Sequence, residues 1–221
     1  MVGKMKTALL SISWLDGIDF HGAYRLNRMI KFCNYYLSIQ NELGFDKLIL
    51  LDNGSKDSLK AEFLPYFEDI DFIEMNNLYY DPNIPCHYPH GWRTIYYMKD
   101  LIEQGYDKII QIDSDGFIVS KKLANHIKNL NRGWTAFWCK RHSFPDVNPS
   151  VLCSDTFKYF IDYIKTPWEE HLGKEMERVL PFTHIEKGFN TDRFGEYENK
   201  ELTSDMDYYG QMGPNVIPIL Q

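Results

Sequence analysis

Twice in this chain a short apolar run stops on an acidic, glycine-containing turn. Lys47 to Leu51 runs into Asp52-Asn53-Gly54-Ser55, and Lys108 to Ile112 runs into Asp113-Ser114-Asp115-Gly116. Runs this short and this apolar read as strands buried on both faces, which is the habit of parallel sheets. Helical spacing fills the intervals. Tyr24, Leu26, Met29, Ile30, Cys33, Leu37 and Leu43 repeat at helical spacing over 22–44, with Gly44 as the C-cap. Residues 58–67 and 92–104 also read as helices, and Ser120 is placed to cap another that ends near Leu130. Further strands are expected at 7–14, 71–75 and 133–140, and a helix at 155–165.

Strand and helix in alternation imply an α/β fold, with a mostly parallel central sheet flanked by helices on both faces. In such sheets ligands bind beyond the carboxyl ends of the strands, so the polar residues that end each strand are the candidates. The length of 221 residues suits one domain. Its expected halves are 7–130 and 131–221. Residues 186–215 read as loop-rich, and 76–91, with three prolines and Gly91, as a loop.

A net charge of -7 excludes the clustered lysine and arginine of a nucleic-acid surface. The four cysteines have no zinc spacing, and their use fits a reducing compartment. The apolar stretch after Lys6 is too short for a signal core or a membrane span, so the expected location is cytoplasmic.

Asp113 and Asp115 stand at i and i+2 after a strand and so point to one side. Two carboxylates held together repel each other, and a hard divalent cation relieves that while sharing its oxygens with phosphates. Asp, Ser and Gly also make ordinary turns, so the strand before them is what lifts the pair above a turn. Asp52 to Asp57 looks like a calcium loop, but Lys56 intrudes and no acid closes it.

Tyr106-Asp107-Lys108-Ile109-Ile110-Gln111-Ile112-Asp113-Ser114-Asp115 resembles the D-x-D segment of GT-A glycosyltransferases, and Leu50 to Asp57 resembles their second-strand turn. The resemblance covers about residues 7–165. It implies a Rossmann-like GT-A domain that transfers a hexose from a nucleotide-sugar, a UDP-sugar by preference, to a glycan or protein hydroxyl. It implies Mn2+ or Mg2+ at Asp113 and Asp115, with Asp113 also close to the ribose. It puts Asp52 against the base or ribose and Arg93, in His90-Gly91-Trp92-Arg93, against the diphosphate, with Trp14 in the same donor set. Val147 to Leu152 is similar to the Asn-x-Gly-Val segment of some retaining members, with Pro149-Ser150 in place of the small residue and glycine.

The acceptor side is thinner. Thr166-Pro167-Trp168-Glu169 is a capping box, which accounts for Glu169 and leaves Glu170, by resemblance, as the general base of an inverting enzyme or the group that stabilises positive charge near the anomeric carbon in a retaining one. Asp155 is the competing candidate, with N-capping as its plain reading. His184 is a candidate third metal ligand. Two other readings stay open. Asp113-Ser114-Asp115-Gly116 also fits a haloacid-dehalogenase-type phosphatase with Asp113 as nucleophile, although that family carries its motif on the first strand. A non-catalytic sugar- or nucleotide-binding module of the same fold is the other.

Overall fold

The computed structural model describes residues 5–18, 24–75, 89–166, 170, 174–195, 201–211 and 216–221. Seven strands form one sheet: β1 (Thr7–Ser13), β2 (Lys47–Asp52), β3 (Ile70–Glu74), β4 (Lys108–Gln111), β6 (Trp134–Cys139), β7 (Phe144–Cys153) and β8 (His184–Glu186). Their order across the sheet is β3-β2-β1-β4-β7-β6-β8, and only β7 runs against the rest. A separate two-stranded ribbon joins β5 (Phe117–Ile118) to β9 (Tyr208–Tyr209). The helices are α1 (Arg25–Ser38), α2 (Gln40–Leu43), α3 (Asp57–Phe63), α4 (Pro89–Glu103), α5 (Lys121–Asn129), α6 (Phe157–Ile164) and α7 (Met176–Val179). The chain is therefore an α/β fold with a mostly parallel sheet and helices on both faces, as the strand-helix alternation predicts.

The period of two along each strand divides the core in two. Leu9, Leu48, Leu50, Ile110 and Val151 meet α1 and α5 on one face. Ala8, Leu10, Ile49, Ile109 and Leu152 meet Trp92, Ile95 and Met98 of α4 and Phe160 of α6 on the other. Gly44 ends α2 in the left-handed conformation expected of the C-cap. Ser120 caps α5, its Oγ accepting from the Leu123 amide at 3.1 Å. The far end of α5 is closed by an unexpected group. Lys108 is almost fully buried, and its Nζ donates to the carbonyls of Ile127, Lys128 and Leu130 at 3.1, 2.9 and 3.1 Å. Those carbonyls would otherwise lack partners.

Two boundaries differ from expectation. The helix expected over 22–44 is interrupted at Ile39, giving α1 and α2, and residues 22 and 23 lie outside the described set. Helix α4 begins at Pro89 rather than 92, inside what reads as loop; most of that loop also lies outside the described residues. The main omission is β7. It inserts between β4 and β6, and its Pro145, Asn148 and Pro149 break the strand pattern that would have revealed it.

Candidate active site

Strand β4 delivers Asp113 to the carboxyl edge of the sheet. The ladder continues one residue past it, Ile112 N donating to Leu10 O at 3.0 Å, and the chain then turns with Gly116 N donating to Asp113 O at 2.9 Å. Tyr36 of α1 locks the turn from below. Its hydroxyl donates to Gly116 O at 3.0 Å and accepts from Ile118 N at 3.1 Å. A Cβ at Gly116 would run into the buried Tyr208 ring and hydroxyl, which would have to shift to admit it.

Next to Asp113, β7 bulges. Ala136 pairs with Ser150 but Phe137 pairs with Asp146, so Val147, Asn148 and Pro149 are left over on the β7 side. Bulges re-aim side chains. This one brings Asp146, Val147 and Asn148 to the cavity wall, where Asn148 Nδ2 donates to Asp113 Oδ2 at 2.7 Å. The cavity has a volume of about 300 Å³ and is lined by Asp113, Ser114 and Asp115 of the turn, Asp146 and Asn148 of the bulge and Glu177 of α7. Arg28, Arg193, Tyr208 and Gln211 also contribute to the wall.

The electrostatics are lopsided: four carboxylates face two guanidiniums. Arg193 is committed to two of the four. Its Nε donates to Asp146 Oδ2 at 2.8 Å, and its Nη2 to Asp146 Oδ1 at 3.1 Å and Glu177 Oε1 at 2.8 Å. Burial opposes the charge on Arg193, and Asp146 and Glu177 outweigh it. Arg28 Nη2 donates to Ser114 Oγ at 3.4 Å. Burial, followed by repulsion from Asp115 and Asp146, pushes the Asp113 carboxyl up to about 7. A carboxyl crowded in this way is relieved by a proton or by a cation.

The donor set fits a hard divalent ion that completes its shell with phosphate oxygens. All the candidate groups are oxygens, and among the described residues no three His, Cys, Asp or Glu side chains form a complete protein cage. Ions of the Mg2+ type use one or two carboxylates plus substrate phosphates. Asp113 and Asp115 match that requirement.

The other expected residues fare differently. Asp52 ends β2 as expected, but both its oxygens accept from Ser55, one from the hydroxyl and one from the amide at 2.9 Å. Ser55 Oγ in turn accepts from Leu15 N at 2.8 Å, so Asp52 shapes the β1 and β2 loops and lies outside the cavity wall. Burial raises its carboxyl above the usual range. Arg93 is buried and donates to Asn53 Oδ1, which ties α4 to the same turn. Trp14 is half exposed, with the Arg25 guanidinium 3.9 Å from its ring centre.

Asp155 is not brought to the site. Cys153 lies opposite Lys108, at the start of β4, so Asp155 stands at the opposite edge of the sheet from Asp113, and its Oδ1 accepts from Gly133 N at 2.8 Å. It does not cap a helix as its plain reading expects, and braces the start of β6 instead. His184 is also remote, on edge strand β8, three strands from β4, with its Nε2 3.1 Å from Glu186 Oε1. Glu170 is exposed and does not line the cavity. Pro167 to Glu169 of the capping box lie outside the described residues.

Sequence reasoning missed Asp146, Glu177, Arg193 and Gln211 altogether and undervalued Asn148. The available signal was Asp146-Val147-Asn148-Pro149, an acid and an amide two apart against a proline that cannot join a ladder. Glu177, Arg193 and Gln211 reach the cavity only through long-range packing.

No model of a known protein family matches this chain, and no curated protein matches it. Solved structures align with parts of it at low identity. One is a glycosyltransferase involved in the glycosylation of the major capsid of PBCV-1, 10% identical over 82% of this chain and 81% of that one, with a TM-score of 0.43. Another is the 4-diphosphocytidyl-2C-methyl-D-erythritolsynthase of Anaerococcus prevotii DSM 20548, 8% identical over 75% and 78%, with a TM-score of 0.49. A third is the glucosyl-3-phosphoglycerate synthase of Mycobacterium tuberculosis, in complex with Mn2+, UDP and phosphoglyceric acid, at 13% identity and a TM-score of 0.38. This chain covers 44% of that third protein's length, with 62% of its own. At such values the chemistry has to be read from the cavity's own residues. Among the described residues no helix is long and apolar enough to cross a membrane.

Proposed function

We propose that the chain is a divalent-metal-dependent glycosyltransferase that moves a hexose from a nucleotide-sugar, a UDP-sugar by preference, to a hydroxyl of a glycan or protein. The observation that carries this reading is the buried Asp113 carboxyl beside Asp115, in a cavity with excess negative charge at the carboxyl edge of a parallel sheet. An anionic diphosphate enters such a cavity only in company with a cation. Asp113 and Asp115 would hold Mn2+ or Mg2+, which when bound supplies positive charge against the departing diphosphate.

The chain's own groups do the rest. Asn148 orients the Asp113 carboxylate, and Arg28 adds a guanidinium for a phosphate oxygen. Asp52 and Arg93 hold the β1 and β2 turns, beside which the Trp14 ring offers a face to a nucleobase. In the transfer, the bond from the sugar C1 to the phosphate oxygen breaks, and its electron pair leaves with the nucleoside diphosphate. A bond from C1 to the acceptor oxygen forms, and the acceptor proton passes to a carboxylate. Glu177 suits that task better than Glu170 or Asp155, because it lines the cavity and is hydrogen-bonded through one oxygen.

The test is product analysis with UDP-hexoses, Mn2+ and a mixed panel of glycan and peptide acceptors. Release of UDP that needs Mn2+ and fails in Asp113→Ala and Asp115→Ala supports the reading. Pyrophosphate release from UTP and a sugar phosphate, with no UDP from any UDP-hexose, would identify nucleotidyl transfer and overturn it.

A further inference from the structure

The cavity wall carries two side-chain oxygens with no hydrogen-bond donor. Asn148 Oδ1 and Gln211 Oε1 are both enclosed and unpartnered. Asn148 is only 8% exposed, and its amide stands with Nδ2 donating to Asp113, which accepts only when ionised, as it is with a cation beside it. Gln211 is held in place by backbone. Gly195 N donates to Gly210 O at 3.0 Å, and a Cβ on Gly195 would collide with the Gln211 carbonyl. Glycine at 195 therefore permits the close approach that seats Gln211 in the wall.

Buried acceptors are normally satisfied. Cations and diphosphates do not satisfy these two together. A phosphate brings only acceptors, and an ion at the aspartates would take at most the Asn148 oxygen, which sits beside Asp113, leaving Gln211 Oε1 without a donor. Hydroxyl groups are donors, and a sugar carries several.

We infer that the side-chain carbonyls of Asn148 and Gln211 form a hydroxyl-reading subsite that selects the sugar of the donor. The inference rests on the reading of the cavity as a nucleotide-sugar site and adds a specificity to it. The donor class is a hexose with free hydroxyls facing this wall. Analogues deoxygenated at the matching carbon leave a buried carbonyl unpaired and are rejected, as sites built to bind a hydroxyl reject its absence.

Gln211 carries the test, because Asn148 also holds Asp113. Dissociation constants are measured by calorimetry with Mn2+ for UDP, UDP-glucose, UDP-galactose and the 2-, 3-, 4- and 6-deoxy forms of UDP-glucose. The wild-type protein is compared with Gln211→Met, which keeps the length and loses the acceptor, and with Gln211→Glu, which keeps an acceptor oxygen. The expected result is that one deoxy donor binds the wild type at least roughly tenfold more weakly than its hydroxyl parent. That ratio collapses in Gln211→Met and persists in Gln211→Glu, while UDP binds the wild type and Gln211→Met alike. Hydroxyl-to-deoxy ratios that are the same in wild type and Gln211→Met overturn the inference alone, leaving water as the partner of both oxygens. Failure of UDP to bind the wild type with Mn2+ brings down the reading of the cavity, and this inference with it.

Discussion

Asn148 Nδ2 and Asp113 Oδ2 lie 2.7 Å apart, joining the bulge of β7 to the end of β4. That bond sets the orientation of the most perturbed carboxyl in the cavity. It also links two stretches 35 residues apart in the chain.

Asp113 makes the metal-free protein pH-sensitive. Its carboxyl is pushed from an ordinary 3.8 up to about 7 in the fold, chiefly by burial. The folded state therefore holds a proton that the unfolded chain has released between those values, so the contribution of this group to stability is full below about 4 and is lost as pH rises through about 7. Asp113→Asn removes the penalty at pH 7.5. A gain on the order of 1 kcal/mol, or roughly 2–4 °C in Tm, is expected, with a flatter Tm-against-pH curve. Thermal melts in EDTA from pH 4 to 8 check both points.

Arg193 holds Asp146 in a nearly dry position, the Asp146 side chain being 2% exposed. Removing one partner of a buried pair strands the other charge. Arg193→Met should cost about 3–5 kcal/mol by denaturant unfolding. Arg193→Met combined with Asp146→Leu should recover part of that loss, since the Asp146 charge leaves with its partner while Glu177 still loses Arg193.

Lys108 is a structural group whose effect should stay away from the cavity. Burial lowers its pKa, yet its three carbonyl partners close the end of α5. Lys108→Met should destabilise the protein by about 1–3 kcal/mol through the orphaned carbonyls. The affinity for UDP and Mn2+, measured well below the melting point, should not change.

Much of the sheet's β2 and β4 edge was legible because local and global signals agree there. The runs before Asp52 and Asp113 are apolar, short and closed by turn residues, so pattern, burial and strand end coincide. The roles were less legible than the positions. Asp52 and Asp155 both stand at element ends, where a carboxylate that caps or braces a turn looks the same in sequence as one that binds a ligand. Asp52 is spent on Ser55, and Asp155 on Gly133. The bulge at Val147 to Pro149 is visible only once β4 and β6 are set beside β7. Glu177, Arg193 and Gln211 come from segments without periodicity, and they owe their place in the wall to contacts such as Gly195 against Gln211 and Arg193 against Asp146.

The central claim is that Asp113 and Asp115 bind a nucleoside diphosphate through a divalent cation, and UDP titration by calorimetry tests it most directly. The account predicts saturable UDP binding in Mn2+ that EDTA abolishes and that Asp115→Asn weakens by at least roughly tenfold. UDP binding of equal strength in Mn2+ and in EDTA, or unchanged by Asp115→Asn, would contradict it.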